Sequence, residues 1–279
     1  MKKVLMTAAA LAVMIGAPLA AQASTPQQDL KAFQEYYMKK FPGVPLADFK
    51  NGVYAINADL RSQWQNMMEF PPFDDDVAKG KKLFETPFAN GKTYASCFRH
   101  GGIGIRQNYP YFDRKTGDIV TLEGAINACR VKNHEKPLKW KKGAIADISA
   151  YMASTSNGKK LDVKVPNDPR AIAWYERGKR FFYTKRGQLN MSCAECHKTY
   201  AGYRIRGNTL SPALGHPAHF PAYRLKWGNL GTIDRRYAGC NKKVRAKPFP
   251  AQSPQYKALE YFETYMSDGI PVDAPGLRQ

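Results

Sequence analysis

Residues 191–202 read MSCAECHKTYAG. Cys193, Cys196 and His197 form C-x-x-C-H, the spacing of covalent c-type haem attachment. Two thiols of this kind add to a porphyrin as thioethers, and the imidazole that follows reaches the iron. The motif predicts one covalently bound haem c with His197 as an axial metal ligand. Electron-transfer cytochromes usually complete the iron with Met or a second His. No methionine lies between His197 and Tyr265, and Met266 reads as core packing on the last helix. His216 and His219, in GHPAHFPAY, stay open as ligands.

Cys240 is the other candidate. It sits in IDRRYAGCNKKVRAKPF, among Arg235, Arg236, Lys242, Lys243, Arg245 and Lys247. Positive neighbours lower a thiol pKa, and the thiolate is both nucleophile and metal ligand. Arginine presents a planar fork of donors that suits a sulfonate, phosphate or carboxylate. A reactive sulfur beside a haem and an oxyanion cradle points to oxidation of a sulfur compound. An inert buried cysteine and an intermolecular disulfide are the alternatives.

The elements that must position these residues occur twice. GKKLFETPF at 80–88 resembles GKRFFYTKR at 178–186, and SCFRHGG at 96–102 falls where SCAECHK falls at 192–198. LEGAINACR at 122–130 matches IDRRYAGCN at 233–241, and AIADISAYMAS at 144–154 matches ALEYFETYMSD at 258–268. The expected fold is mainly α: two tandem cytochrome c-like domains over 73–155 and 168–279, with a polar linker near 155–168. A helical extension over 24–72 offers Trp64, Met67, Met68 and Phe70 for packing. The first domain has no Cys followed directly by His, so it is expected to be haemless, with His100 at the surface. Its Cys97 and Cys129 are expected to pair, because leftover cysteines in an oxidising compartment usually do. Free thiols or a metal site are the alternatives.

That compartment follows from the first residues. Lys2 and Lys3, an apolar run and Ala21-Gln22-Ala23 read as a secretory signal peptide over 1–23, cut before Ser24. An uncleaved anchor is the alternative, and no later stretch is apolar for long enough to span a bilayer. Covalent haem with export implies the periplasm. The formal net charge is +20. Export argues against nucleic acid as the partner. An acidic protein or a small anion remains, since positive fields steer both.

The stretch from Met191 to Phe249, above all RRYAGCNKKVRA, resembles the SoxA family, the cytochrome subunits of the SoxAX complexes of thiosulfate-oxidising bacteria. The resemblance covers nearly the whole mature chain. SCFRHGG together with Cys129 is similar to its one-haem branch, in which a disulfide occupies the first domain. The resemblance implies an L-cysteine S-thiosulfotransferase that joins thiosulfate oxidatively to a cysteine of the SoxYZ carrier. It implies that Cys240 is the distal haem ligand and the catalytic cysteine, carried as a persulfide, and that Arg236 binds the substrate anion. It also implies a heterodimer with the SoxX cytochrome and a soluble cytochrome c as electron acceptor. A monohaem electron carrier with no substrate of its own is the rival reading.

Overall fold

The computed structural model describes residues 24–279, and the leader expected over 1–23 lies outside the described residues. Helix α1 (Pro26–Lys40) starts where Thr25 and Gln28 form a reciprocal capping box. Two short helices, α2 (Val53–Ile56) and α3 (Ala58–Met67), complete the extension. Its role differs from a simple lead-in to the first domain. Phe33 and Tyr37 of α1 are buried in the core of the second repeat, and the Phe33 ring lies 5.9 Å from that of Phe182. Trp64, Met67 and Met68 pack as expected. Phe70 does not: it is 87% exposed. Helix α3 ends at Met67, so Phe70 falls beyond the face that packs.

Both repeats are built on one crossing of helices. Helix α4 (Asp74–Glu85) crosses α6 (Ala144–Ser154), with α5 (Leu122–Lys132) alongside. Helix α7 (Pro169–Tyr183) crosses α9 (Pro254–Met266), with α8 (Ile233–Lys243) alongside. The repeated Gly-Lys motif explains the close approach. A β-carbon on Gly80 would stand 2.0 Å from the Asp147 carbonyl oxygen, and one on Gly178 2.0 Å from that of Ala258. Only a residue without a side chain fits at either crossing.

Small strands fill the loops. β1 (Tyr111–Asp113) and β2 (Asp118–Val120) form an antiparallel hairpin before α5. β3 (Arg204–Ile205) and β4 (Asn208–Thr209) make a second hairpin. β5 (Ala222–Arg224) pairs antiparallel with β6 (Asn229–Gly231) before α8, and β7 (Gly276–Arg278) joins β5 in parallel. Met152 and Met266 are both buried, which matches the packing role expected of Met266.

The segment 155–168 is less of a boundary than its composition suggests. Leu161 and Val163 are buried in the main core, and Leu161 exchanges backbone hydrogen bonds with Gly269 and Ile270 at 2.9 Å each. The repeats also contact each other directly. Buried Arg106 donates to the Pro217 carbonyl at 3.1 Å, and Thr232 donates to the Trp140 carbonyl at 2.8 Å. Among the described residues no helix is long and apolar enough to cross a membrane.

Candidate active site

The C-x-x-C-H segment is held from both sides. Ser192 and Glu195 cap one another: the Ser192 N–H donates to Glu195 Oε2 at 2.8 Å, and the Glu195 N–H to Ser192 Oγ at 3.0 Å. Lys185 pairs with Glu195 at 2.9 Å, and this contact holds the Glu195 carboxyl below its ordinary range. A single π-type turn, Glu195–Thr199, carries Cys196 and His197. Helix α1 supports that turn from behind. Tyr37 donates to the His197 carbonyl at 2.6 Å and Tyr36 to the Lys198 carbonyl at 3.1 Å.

The orientation of His197 is set by its ring nitrogen. Nδ1 lies 2.9 Å from the Ser211 carbonyl oxygen, which can only accept, so Nδ1 carries the proton. Nε2 is left as a lone-pair donor, the tautomer an iron ligand requires. His216 packs edge-on against His197 with ring centroids 4.6 Å apart and is engaged by Ser211 Oγ at 2.7 Å. Burial and the neighbouring His197 hold its pKa well below the usual histidine range. His216 therefore buttresses the ring of His197. His219 lies deeper, stacked on Phe220.

Cys240 and His197 line the same cavity, close enough for the imidazole to act on the thiol. Helix α8 delivers it: Arg236, Cys240 and Lys243 are spaced by one turn and share a face. The other face is bound to α9. Tyr237 donates to Glu263 at 2.5 Å, and Asn241 donates to the Tyr256 hydroxyl at 2.9 Å. Burial alone would raise the Cys240 pKa. Arg236, the His197 contact and Lys243 outweigh it and bring the thiol down to about 6. Burial pushes Cys193 and Cys196 the opposite way.

Only part of the expected basic cradle reaches the sulfur. Arg236 and Lys243 do. Arg235 turns away, over the Trp227 ring at 4.1 Å and onto Asn229 at 2.5 Å. Lys242 and Arg245 line an outer cleft with Arg206, Arg224 and Lys226. Lys247 belongs to neither the cavity nor that outer cleft.

Cys193, Cys196, His197, Cys240 and Arg236 line one cavity. Phe181, Leu210, Tyr237, Val244 and Leu259 supply apolar walls. Two free thiols at thioether spacing, an oriented imidazole and an apolar slot fit a haem. Among the described residues no group of three or more His, Cys, Asp or Glu side chains is placed to hold a metal ion by itself.

In the first repeat, Cys97 and Cys129 form the expected disulfide. His100 is exposed, in a left-handed backbone conformation with φ of 51°. Sequence reasoning missed three supports of the site. The Ser192/Glu195 box was readable as S-x-x-E. The roles of α1 and of the Ser211 carbonyl were not, because a backbone acceptor carries no residue signature.

The family model described as SoxA/TsdA, cytochrome c domain, matches residues 79–161. That is the repeat without the haem motif. The chain is 56% identical over 251 residues to the L-cysteine S-thiosulfotransferase subunit SoxA of Chlorobaculum tepidum, covering 90% of this chain and 87% of that protein. It is 49% identical over 258 residues to the subunit of the same name from Allochromatium vinosum, covering 92% of each. The crystal structure of SoxXA from P. pantotrophus superposes with a TM-score of 0.69 at 31% identity, over 76% of this chain and 81% of that one.

Proposed function

The chain belongs to the SoxA family, and from that premise we propose that it is a haem-dependent L-cysteine S-thiosulfotransferase whose reactive sulfur is Cys240. The observation that carries this reading is the convergence of Cys193, Cys196, His197, Cys240 and Arg236 in one cavity. Cys193 and Cys196 would hold a single haem c as thioethers, and His197 and Cys240 are the residues that would ligate its iron. The second repeat, 168–279, is the haem-binding domain. The first, 73–155, is a haemless cytochrome c-like domain closed by its disulfide.

When bound, the haem supplies a site that takes up electrons one at a time. The protein's own groups do the rest. Arg236 and Lys243 keep the Cys240 sulfur anionic and therefore nucleophilic. Arg236, one helical turn from the sulfur, holds the sulfonate end of thiosulfate, so the sulfane sulfur points at Cys240. Bond formation between the Cys240 thiolate and that sulfur gives a Cys240–S–S–SO₃⁻ adduct and releases two electrons. The deprotonated carrier cysteine then attacks the same sulfane sulfur. It takes over the S–SO₃⁻ group and returns Cys240 as a thiolate. In the persulfide form of Cys240 the outer sulfur plays the same part. The outer basic cleft, with Arg206, Arg224, Lys226, Lys242 and Arg245, suits an anionic approach to the sulfur.

The partners implied are a SoxX-type cytochrome as heterodimer, the SoxYZ carrier and a soluble cytochrome c acceptor. Two electrons against one haem require that second acceptor. The setting is the periplasm, reached through the leader over 1–23. The test is Arg236→Ala, assayed for thiosulfate-dependent electron transfer with carrier present. Losing one charge-assisted contact costs about 1.5–3 kcal/mol, a roughly ten- to hundredfold fall in turnover. Unchanged kinetics would leave only an electron-relay role.

A further inference from the structure

The haem cavity opens into a larger cleft of about 570 Å³, which shares Cys196, His197, His216 and Arg236 with it. Cys193 lines only the smaller cavity, whereas His219, Arg224 and Arg278 line only the larger one. Two buried polar atoms in that far region have no partner. Arg278 donates from its terminal nitrogens to the Leu277 and Lys50 carbonyls, at 2.7 and 2.8 Å, and lies over the Tyr54 ring. Its Nε is buried and unpaired. His219 is 4% exposed, and its Nδ1 is likewise buried and unpaired.

Charge deepens the anomaly. Asp273 attracts Arg278, but it is paired with Lys50 at 3.5 Å. The Arg278 side chain is half-buried, but its Nε–H is enclosed with no acceptor, and an oxyanion would complete it. The site therefore fits an oxyanion, flat enough to meet a guanidinium edge.

Haem chemistry identifies which. A porphyrin tethered through its two vinyl-derived carbons carries both propionate carboxylates on the opposite edge. A haem tethered at Cys193 and Cys196 would have the larger cleft, continuous with its cavity through Cys196, His197, His216 and Arg236, available to receive that edge. We propose that Arg278 and His219 form a carboxylate subsite that receives a haem propionate. This rests on haem attachment at Cys193 and Cys196. Arg278 Nε–H is the obligate donor. The other His219 ring nitrogen faces the Lys50 carbonyl, so Nδ1 would bond the carboxyl group as the acceptor of a shared proton. The arrangement fixes the haem edge remote from the thioethers and places a positive charge beside it.

The test uses the haem-loaded protein with Arg278→Gln, Arg278→Lys and His219→Gln. Midpoint potential and the resonance Raman propionate bending band are measured for each. Arg278→Gln is expected to keep its covalent haem, displace the bending band and lower the potential, because an uncompensated carboxylate favours the ferric state. Arg278→Lys should shift less. If Arg278→Gln does not accumulate, the other two variants carry the same readout. Unchanged band and potential in the haem-loaded variants would overturn the proposal. So would unchanged spectra with a several-fold rise in KM for thiosulfate, which would assign the subsite to the substrate. Failure of the underlying reading looks different: the wild-type chain would carry no covalent haem at Cys193 and Cys196.

Discussion

In the first repeat the segment before the motif position supplies Cys97, and α5 supplies Cys129. In the second, the same two places supply Cys193 and, on α8, Cys240. Cys97 and Cys129 are bonded to each other. Cys193 and Cys240 are both free and line a cavity. Around the bonded pair, aromatic side chains crowd in: Tyr94 stacks on Phe84 at 5.8 Å and meets Phe88 edge-on at 4.8 Å. Gly102 is pressed so close to Phe84 that a β-carbon would meet its ring at 2.8 Å. One scaffold thus carries two outcomes. Where the two walls touch, a disulfide and aromatic packing make a core. In the second repeat the cysteines at the same positions are unbonded and line a cavity, the arrangement proposed to hold a haem and a reactive sulfur.

The second site also has support from outside the repeat. Helix α1 grips the turn after Cys196 through Tyr36 and Tyr37, and no counterpart to that grip serves the first repeat among the described contacts. The basic face of α8 is only half repeated on α5. Where α8 has Arg236, α5 has Ala125, and where α8 has Lys243, α5 has Lys132. Charge at the sulfur thus depends on one arginine more than on the general basicity of the region.

The contrast can be broken from its strongest side first. Cys193→Ser with Cys196→Ser should abolish covalent haem altogether, read by a pyridine haemochrome assay. The wild type should give one haem per chain. Two haems per chain would erase the distinction between the repeats. Next, Cys97→Ala with Cys129→Ala should lower stability by roughly 3–4 kcal/mol, the loop-closure contribution expected for a bridge of this span. Denaturant unfolding would measure it, and the haem spectrum should persist. A lost spectrum would mean the two repeats do not hold their sites independently. The smallest effect tests the shared scaffold. Gly80→Ala and Gly178→Ala should each cost about 1–3 kcal/mol through overpacking at the helix crossing. A midpoint unchanged in both variants would contradict the common architecture.

Much of this contrast was legible in the sequence because covalent chemistry leaves rigid spacing. C-x-x-C-H needs no structure to be read, and neither does the absence of Cys-His in SCFRHGG. The alignment of Cys129 with Cys240 came from the repeat. The sequence was less informative where geometry decides. Six basic residues flank Cys240 in sequence, yet helical periodicity leaves only Arg236 and Lys243 to act on it, while Arg235 serves Trp227 and Asn229. Phe70 looked like a packing residue because apolarity says nothing about where a helix ends. Leu161 and Val163 were hidden in a polar stretch, since two apolar residues suffice to stitch a connection into a core. His216 and His219 were indistinguishable as candidates until burial and partners separated a buttress of His197 from a residue of the deeper cleft.

In the proposed reading Cys240 occupies an iron-ligand position, whereas its counterpart Cys129 is taken up by a disulfide. The most direct measurement is the low-temperature electron-spin resonance spectrum of ferric Cys240→Ala beside the wild type. Haem attachment depends on residues 193–197, so the variant should carry its full covalent haem. The wild type should show a low-spin thiolate signal, and the variant should lose it. A variant spectrum identical to the wild type would contradict the claim that Cys240 binds the iron.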